Sequence, residues 1–159
     1  MKAPQFDLLG VDGRRYSPIT ARGDKGLLVM FICNHCPYVK AVIDRVVREC
    51  SELAPLGIGS IAIMPNDPAD YPEDSFDHMK RVAAAKRFPF PYVIDETQET
   101  ARAYGAVCTP EFFGFNAALE LQYHGKFDGL LEAMKEIAVK GVGPKEQIAS
   151  IGCSIKWKR

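Results

Sequence analysis

The sequence has no excess of charge of either sign: 20 Lys and Arg stand against 20 Asp and Glu. That balance removes the basic footprint of a nucleic-acid binder and the acidic makeup of a solvating tail. No stretch approaches the ~18 apolar residues of a membrane helix. Met1 to Gly10 holds no apolar run of signal-peptide length. Repeats, low-complexity segments and linkers are missing too, so residues 1–159 are expected to form one domain. There is one tryptophan, no second C-x-x-C, and no histidine pair at metal-ligand spacing. Cysteines number five, too few and too uneven for a secreted disulfide scaffold. The expected location is therefore a reducing cytoplasm, where a close cysteine pair points to redox or metal chemistry.

What is present is an ordinary apolar content of 47%, enough for a real core at this length. Phe6 to Ile19 reads as a hairpin turning at Asp12-Gly13. Leu27 to Ile32 is a continuous apolar run, the mark of a strand buried on both faces. Directly after it stands Cys33-Asn34-His35-Cys36-Pro37. Val39, Val42, Ile43, Val46, Val47, Cys50 and Leu53 then share one helical face, with Pro37 suited to the first turn. Asp44 with Arg48, and Arg45 with Glu49, are i,i+4 charge pairs on the other face. Ile58 to Met64 is a second buried strand. Asp74 or Ser75 is expected to cap a helix running to Lys86. Tyr92 to Ile94 is a short strand, and Asp95 with Gln98 reads as a capping pair for a helix ended by Gly105. Phe112 to Phe115 and Leu119 to Tyr123 form a hairpin near Asn116. A last helix around Leu130 to Ala138 ends at Gly141, and a tail follows. Strands alternating with helices imply an α/β fold with a mixed sheet.

The placement of Cys33 and Cys36 carries the functional signal. A helix N-terminus offers unpaired N–H groups and positive potential, which stabilise a thiolate. Cys36, a turn on from Cys33, can close a disulfide with it. Cys50 lies on the apolar helix stripe and reads as a buried, inert thiol.

These residues resemble the thioredoxin superfamily, and within it the redoxin branch that includes alkyl hydroperoxide reductases and thiol-specific antioxidant proteins. The likeness rests on the N-terminal hairpin, the apolar strand before Cys33-Asn34-His35-Cys36, and Val107-Cys108-Thr109-Pro110. The pieces Tyr71-Pro72-Glu73-Asp74-Ser75-Phe76 and Gly152-Cys153-Ser154-Ile155-Lys156-Trp157 are similar to a small bacterial group of that branch. The resemblance implies a thioredoxin-like fold with an N-terminal β-hairpin, and a cis Thr109–Pro110 bond facing the cysteine pair. Ile32 stands where thioredoxins have Trp, and Asn34-His35 where they have Gly-Pro. A Gly125-to-Gly129 link replaces the longer segment that relatives carry before the last helix.

Three functions follow as expectations. In the first, Cys33 attacks a substrate disulfide, Cys36 resolves it, and His35 stabilises the Cys33 thiolate. Asn34, Pro37 and Thr109 line the substrate site, Pro110 faces the pair, and Cys108 is a redox neighbour. The substrate is a disulfide-bearing protein or a small thiol compound, with a separate reductant. No cofactor or metal is called for, and neither nucleic acid nor membrane is a partner; the chain acts as monomer or homodimer. In the second, Cys33 takes the Thr place of a Thr-x-x-Cys motif and Cys36 reduces peroxide, resolved by Cys33 or Cys153, with Arg102 as the candidate cation. In the third, Cys33, Cys36 and Cys108 bind zinc or an iron–sulfur cluster, His35 nearby.

Overall fold

The structure, a computed structural model, describes residues 1–159. The chain opens with the hairpin β1 (Leu8–Leu9) and β2 (Arg15–Tyr16), paired antiparallel. Pro18–Ala21 then form a short helix, α1, where an extended strand end was expected. Ser17 caps α1 by accepting from Thr20 N–H, and Pro18 supplies a preset first helical φ.

Next come β3 (Gly26–Phe31), α2 (Pro37–Leu53), β4 (Ile58–Met64), α3 (Phe76–Ala85), β5 (Tyr92–Ile94) and α4 (Glu99–Tyr104). The chain continues through β6 (Cys108–Thr109), β7 (Glu111–Asn116), β8 (Leu121–Gly125), α5 (Leu130–Lys140) and β9 (Cys153–Ser154). The main sheet has the order β5-β4-β3-β7-β8. β3 pairs parallel with β4 and antiparallel with β7, so the sheet is mixed as expected.

Alternation along β3 divides the core into two. Leu28 and Met30 join Val39, Ile43, Val46 and Leu53 of α2 and Met134 and Ile137 of α5. Leu27, Val29 and Phe31 point the other way, toward Ala101 and Tyr104 of α4 and Phe6. Side chains of a strand alternate between sheet faces, and a strand covered on both sides is apolar throughout. Burial of each large aliphatic stabilises by roughly 1.5–3 kcal/mol. The surface charge pairs expected along α2 do not form. Asp44 instead pairs with Lys86 at 3.1 Å, and the Arg45 guanidinium lies 4.8 Å over the Phe127 ring. Exposed i,i+4 pairs are worth only ~0.3–0.5 kcal/mol, so other partners easily displace them.

Of the two expected caps, one holds and one is changed. Ser75 caps α3, accepting from His78 N–H, while Asp74 turns inward and is fully buried. Asp95 does hold the start of α4, accepting from Thr100 and Ala101 N–H, but Gln98 does not complete the pair. Its side-chain amide donates to the Pro65 and Lys156 carbonyls and accepts from Lys158 N–H. Gln98 thus anchors the C-terminal segment. That segment is no loose tail: Ile155 is buried in the second core, and β9 pairs antiparallel with β6. No helix is long and apolar enough to cross a membrane.

Candidate active site around the cysteine pair

β3 ends at Phe31, and the chain crosses five residues before α2 begins at Pro37. Cys36 is the N-cap residue of α2; Cys33 lies at the strand end, before the helix. Both sit in the core, Cys33 2% and Cys36 0% exposed. All five cysteines are free thiols.

Thr109 holds the two sulfurs together. Its hydroxyl lies 3.3 Å from Cys33 Sγ, and its carbonyl accepts from the Cys36 thiol at 3.3 Å. The following Thr109–Pro110 bond is cis, as the resemblance implies. Thr109 is completely buried, and its backbone is paired with Cys153 of β9. It was expected to line a substrate site; it is instead spent on the thiols and on the tail.

The two thiols have opposite electrostatics. Burial pushes Cys33 up to about 12, the buried Asp74 carboxylate adds to this, and the Thr109 hydroxyl offsets only part. Burial also pushes Cys36 up. There the Cys153 thiol and the N–H groups of Val39, Cys153 and Tyr38 together outweigh it, leaving Cys36 below its ordinary value. The N–H of Cys36, at the N-cap of α2, does favour the Cys33 thiolate, but burial outweighs it.

Asp74 organises the loop between the cysteines. Asn34 N–H donates to its Oδ1 at 2.7 Å, and Asn66 Nδ2 donates to its Oδ2 at 3.1 Å. His35 Nδ1 lies 2.5 Å from the same Oδ2, and its ring stacks on Tyr71 at 4.5 Å. His35 therefore faces Asp74, a partner 39 positions away that local spacing did not reveal. Asn34, expected to meet substrate, has both ends of its amide engaged: it donates to the Glu73 carbonyl and accepts from Tyr92. It positions the loop. Pro37 opens α2 and is exposed.

The remaining candidates separate. Cys108 donates weakly to the Pro110 carbonyl at 3.8 Å and the Glu111 carboxylate at 3.7 Å. Burial and then the Glu111 charge push it up to about 12, so it is a protonated neighbour of the pair. Cys50 is buried against Met30 and is likewise pushed up to about 12 by burial. Arg102 lies 4.4 Å over the Trp157 ring, so it is committed to the tail. The three-ligand grouping that the structure offers a metal is Cys33, His35 and Asp74, not Cys33, Cys36 and Cys108. His35 and Asp74 already satisfy one another there.

A site of two thiols beside a cis-proline, at the junction of a buried strand and a long helix, matches a known family across most of the chain. The AhpC/TSA family model covers residues 1–126. The chain belongs to the AhpC/TSA family. Its fold is thioredoxin-like, and thiol-based oxidoreductase chemistry is what this family supports. Among solved structures, this AhpC/TSA chain is similar to an uncharacterized conserved protein from Geobacillus kaustophilus, with 40% identity and a TM-score of 0.95 over 99% of this chain and 91% of that one. It is also similar to a hypothetical protein from Sinorhizobium meliloti 1021, with 30% identity and a TM-score of 0.96 over 99% and 93%. The peroxidoxin BcpB from Mycobacterium tuberculosis shares the fold, at 13% identity and a TM-score of 0.67 over 87% and 92%. No curated protein matches the chain.

Proposed function

We propose that the chain is a thiol–disulfide oxidoreductase in which Cys36 attacks and Cys33 resolves. The roles are the reverse of those expected from the order of the cysteines. The electrostatics of the site carry this reading: Cys36 alone among the five thiols is favoured as a thiolate, by the Cys153 thiol and by the N–H groups of Val39, Cys153 and Tyr38, at its place as the N-cap of α2. A thiolate is the nucleophile in exchange, and a thiol is not.

The Cys36 thiolate attacks one sulfur of a substrate disulfide, forming a mixed disulfide and releasing the first thiolate, which takes up a proton from water. Cys33 then loses its proton and attacks the Cys36 sulfur. This releases the second thiol and leaves a Cys33–Cys36 disulfide. Two electrons pass from the dithiol to the substrate, and an external thiol reductant restores the pair. Both residues are buried, Cys36 0% and Cys33 2% exposed, so the first attack requires the covering side chains to move and the Cys33 proton to pass to a neighbouring group. Asp74 and His35 are the groups at hand, with ligand atoms within 4.8 Å of the Cys33 sulfur.

Family membership also favours a second reading, in which Cys36 reduces a hydroperoxide. The thiolate would attack one peroxide oxygen, release the alcohol or water, and become a sulfenic acid that Cys33 converts to the disulfide with loss of water. Such chemistry gains from a cation over the departing oxygen, and Arg102 is engaged with Trp157. Disulfide exchange, which needs no such cation, is the better fit.

Single-cysteine variants test the assignment. Cys33→Ser is expected to react once with a disulfide and accumulate a mixed disulfide on Cys36. Cys36→Ser is expected to lose all activity. A stable adduct on Cys33 in Cys36→Ser, with none on Cys36 in Cys33→Ser, restores the opposite roles. Faster oxidation by hydroperoxide than by any disulfide selects the peroxidase.

A further inference from the structure

The backbone edge beside the attacking sulfur is already occupied. β6 is two residues long, and its open side pairs antiparallel with β9, Thr109 opposite Cys153 and Cys108 opposite Ser154. The approach is close. A Cβ added to Gly152 would run into the Thr109 carbonyl, so only glycine lets the segment lie this near. Polar contacts hold β9 from both sides. Ile155 N–H donates to the Val107 carbonyl at 3.0 Å, Lys156 N–H to Asn66 Oδ1 at 2.9 Å, and Asp67 N–H to the Lys156 carbonyl at 2.8 Å. The Gln98 amide reaches the same Lys156 carbonyl at 2.8 Å, and Ile155 is 3% exposed.

An extended polypeptide gains affinity at such a place by adding a strand to a free edge. Here that edge is taken, and freeing it means breaking these hydrogen bonds and exposing Ile155. Pro110 also borders an open cleft, whose lining includes neither cysteine. Tyr38 and Val42 of α2, Pro110, Lys126, Phe127 and Ile151 line a cleft of about 250 Å³. Drug-sized ligands take ~300–1,000 Å³, so this space suits a smaller molecule. Tyr38 and Ile151 are 49% and 69% exposed, side chains that can move without unpairing a strand.

We infer that the site takes low-molecular-weight disulfides and excludes disulfides carried in folded or extended polypeptides, because β9 fills the strand edge beside Cys36. This deepens the exchange reading above and rests on it. It also decides between the two substrate classes, protein or small thiol compound, that the sequence leaves open.

The test compares two probes on the reduced wild-type protein: bis(2-hydroxyethyl) disulfide and insulin. Loss of the Cys36 thiol is followed by mass spectrometry, and each rate is divided by the rate of the same probe with dithiothreitol. The corrected rate is expected to be at least 100-fold higher for the small disulfide. A ratio below tenfold overturns the inference and leaves the exchange reading standing. If neither probe oxidises Cys36, both fall. Gly152→Ala, which must lift β9 off Thr109, is expected to raise the insulin rate at least tenfold; an unchanged rate in folded Gly152→Ala removes β9 as the cause. Should that variant fail to fold, the wild-type ratio alone decides.

Discussion

Cys36 and Cys153, 117 positions apart in the chain, pack into one cluster where β9 pairs with β6, and the Cys153 thiol helps hold Cys36 below its ordinary value. The same contact pushes Cys153 up while it helps hold Cys36 down. The C-terminal segment is thus part of the thiolate's environment as well as a cover for its edge.

The alkylation of Cys36 by iodoacetamide should follow a thiolate titration lying below the ordinary thiol range. Cys33 should stay unreactive until far more alkaline pH, its value being about 12. Cys153→Ala removes one of the donors that hold Cys36 down, so the Cys36 profile should move to higher pH while its limiting rate persists. Peptide-resolved mass spectrometry across pH 5–11 reads both.

A stabilised thiolate stabilises the reduced protein, so Cys153→Ala, which removes one of the groups that hold Cys36 down, should make the pair less oxidising than in the wild-type protein. Equilibration with glutathione redox buffers measures this. An unchanged potential contradicts the stabilised Cys36.

Asp74→Asn keeps the size of the side chain and removes the charge that raises Cys33. Cys33 should then titrate lower, and His35 should lose its carboxylate partner. Resolution of the mixed disulfide should slow severalfold, because one of the two proton acceptors beside Cys33 is gone, while the first attack by Cys36 is little changed. Stopped-flow separation of the two phases checks this. Disturbing so buried a network should also reduce stability by about 1–3 kcal/mol, visible in urea unfolding.

Alkaline pH should destabilise the fold through its buried thiols. Cys33, Cys50 and Cys108 are each raised to about 12 when folded, against roughly 8.5 in an unfolded chain. Above 8.5 the unfolded state binds fewer protons than the folded one, so stability falls as pH rises. The contribution is complete below pH 8.5 and is lost progressively toward pH 12. Cys50→Ala should lower overall stability by about 1–2 kcal/mol, as small core deletions do, and flatten this decline without altering Cys36 reactivity.

Much of the fold was legible because it is written in local periodicity. The apolar run at Leu27 marked β3, the stripe from Val39 to Leu53 marked α2, and Gly105 and Gly141 marked helix ends, both adopting positive φ. β6 and β9 were missed because a strand of two residues shows no period. Asp74 was offered beside Ser75 as a cap because its local context, an acid before an apolar helical pattern, is what a cap looks like.

The sequence by itself determined the chemistry's ingredients: two thiols at a strand-to-helix junction, a Thr-Pro that meets them, and an α/β frame to hold both. Only the tertiary structure decided which thiol is favoured as a thiolate, what His35 faces, and which groups Thr109 engages. Each of those depends on groups brought together across 39 to 117 positions. Electrostatics and hydrogen bonding act through space over a few ångströms, and spacing along the chain reports such distances only within a single helix or strand.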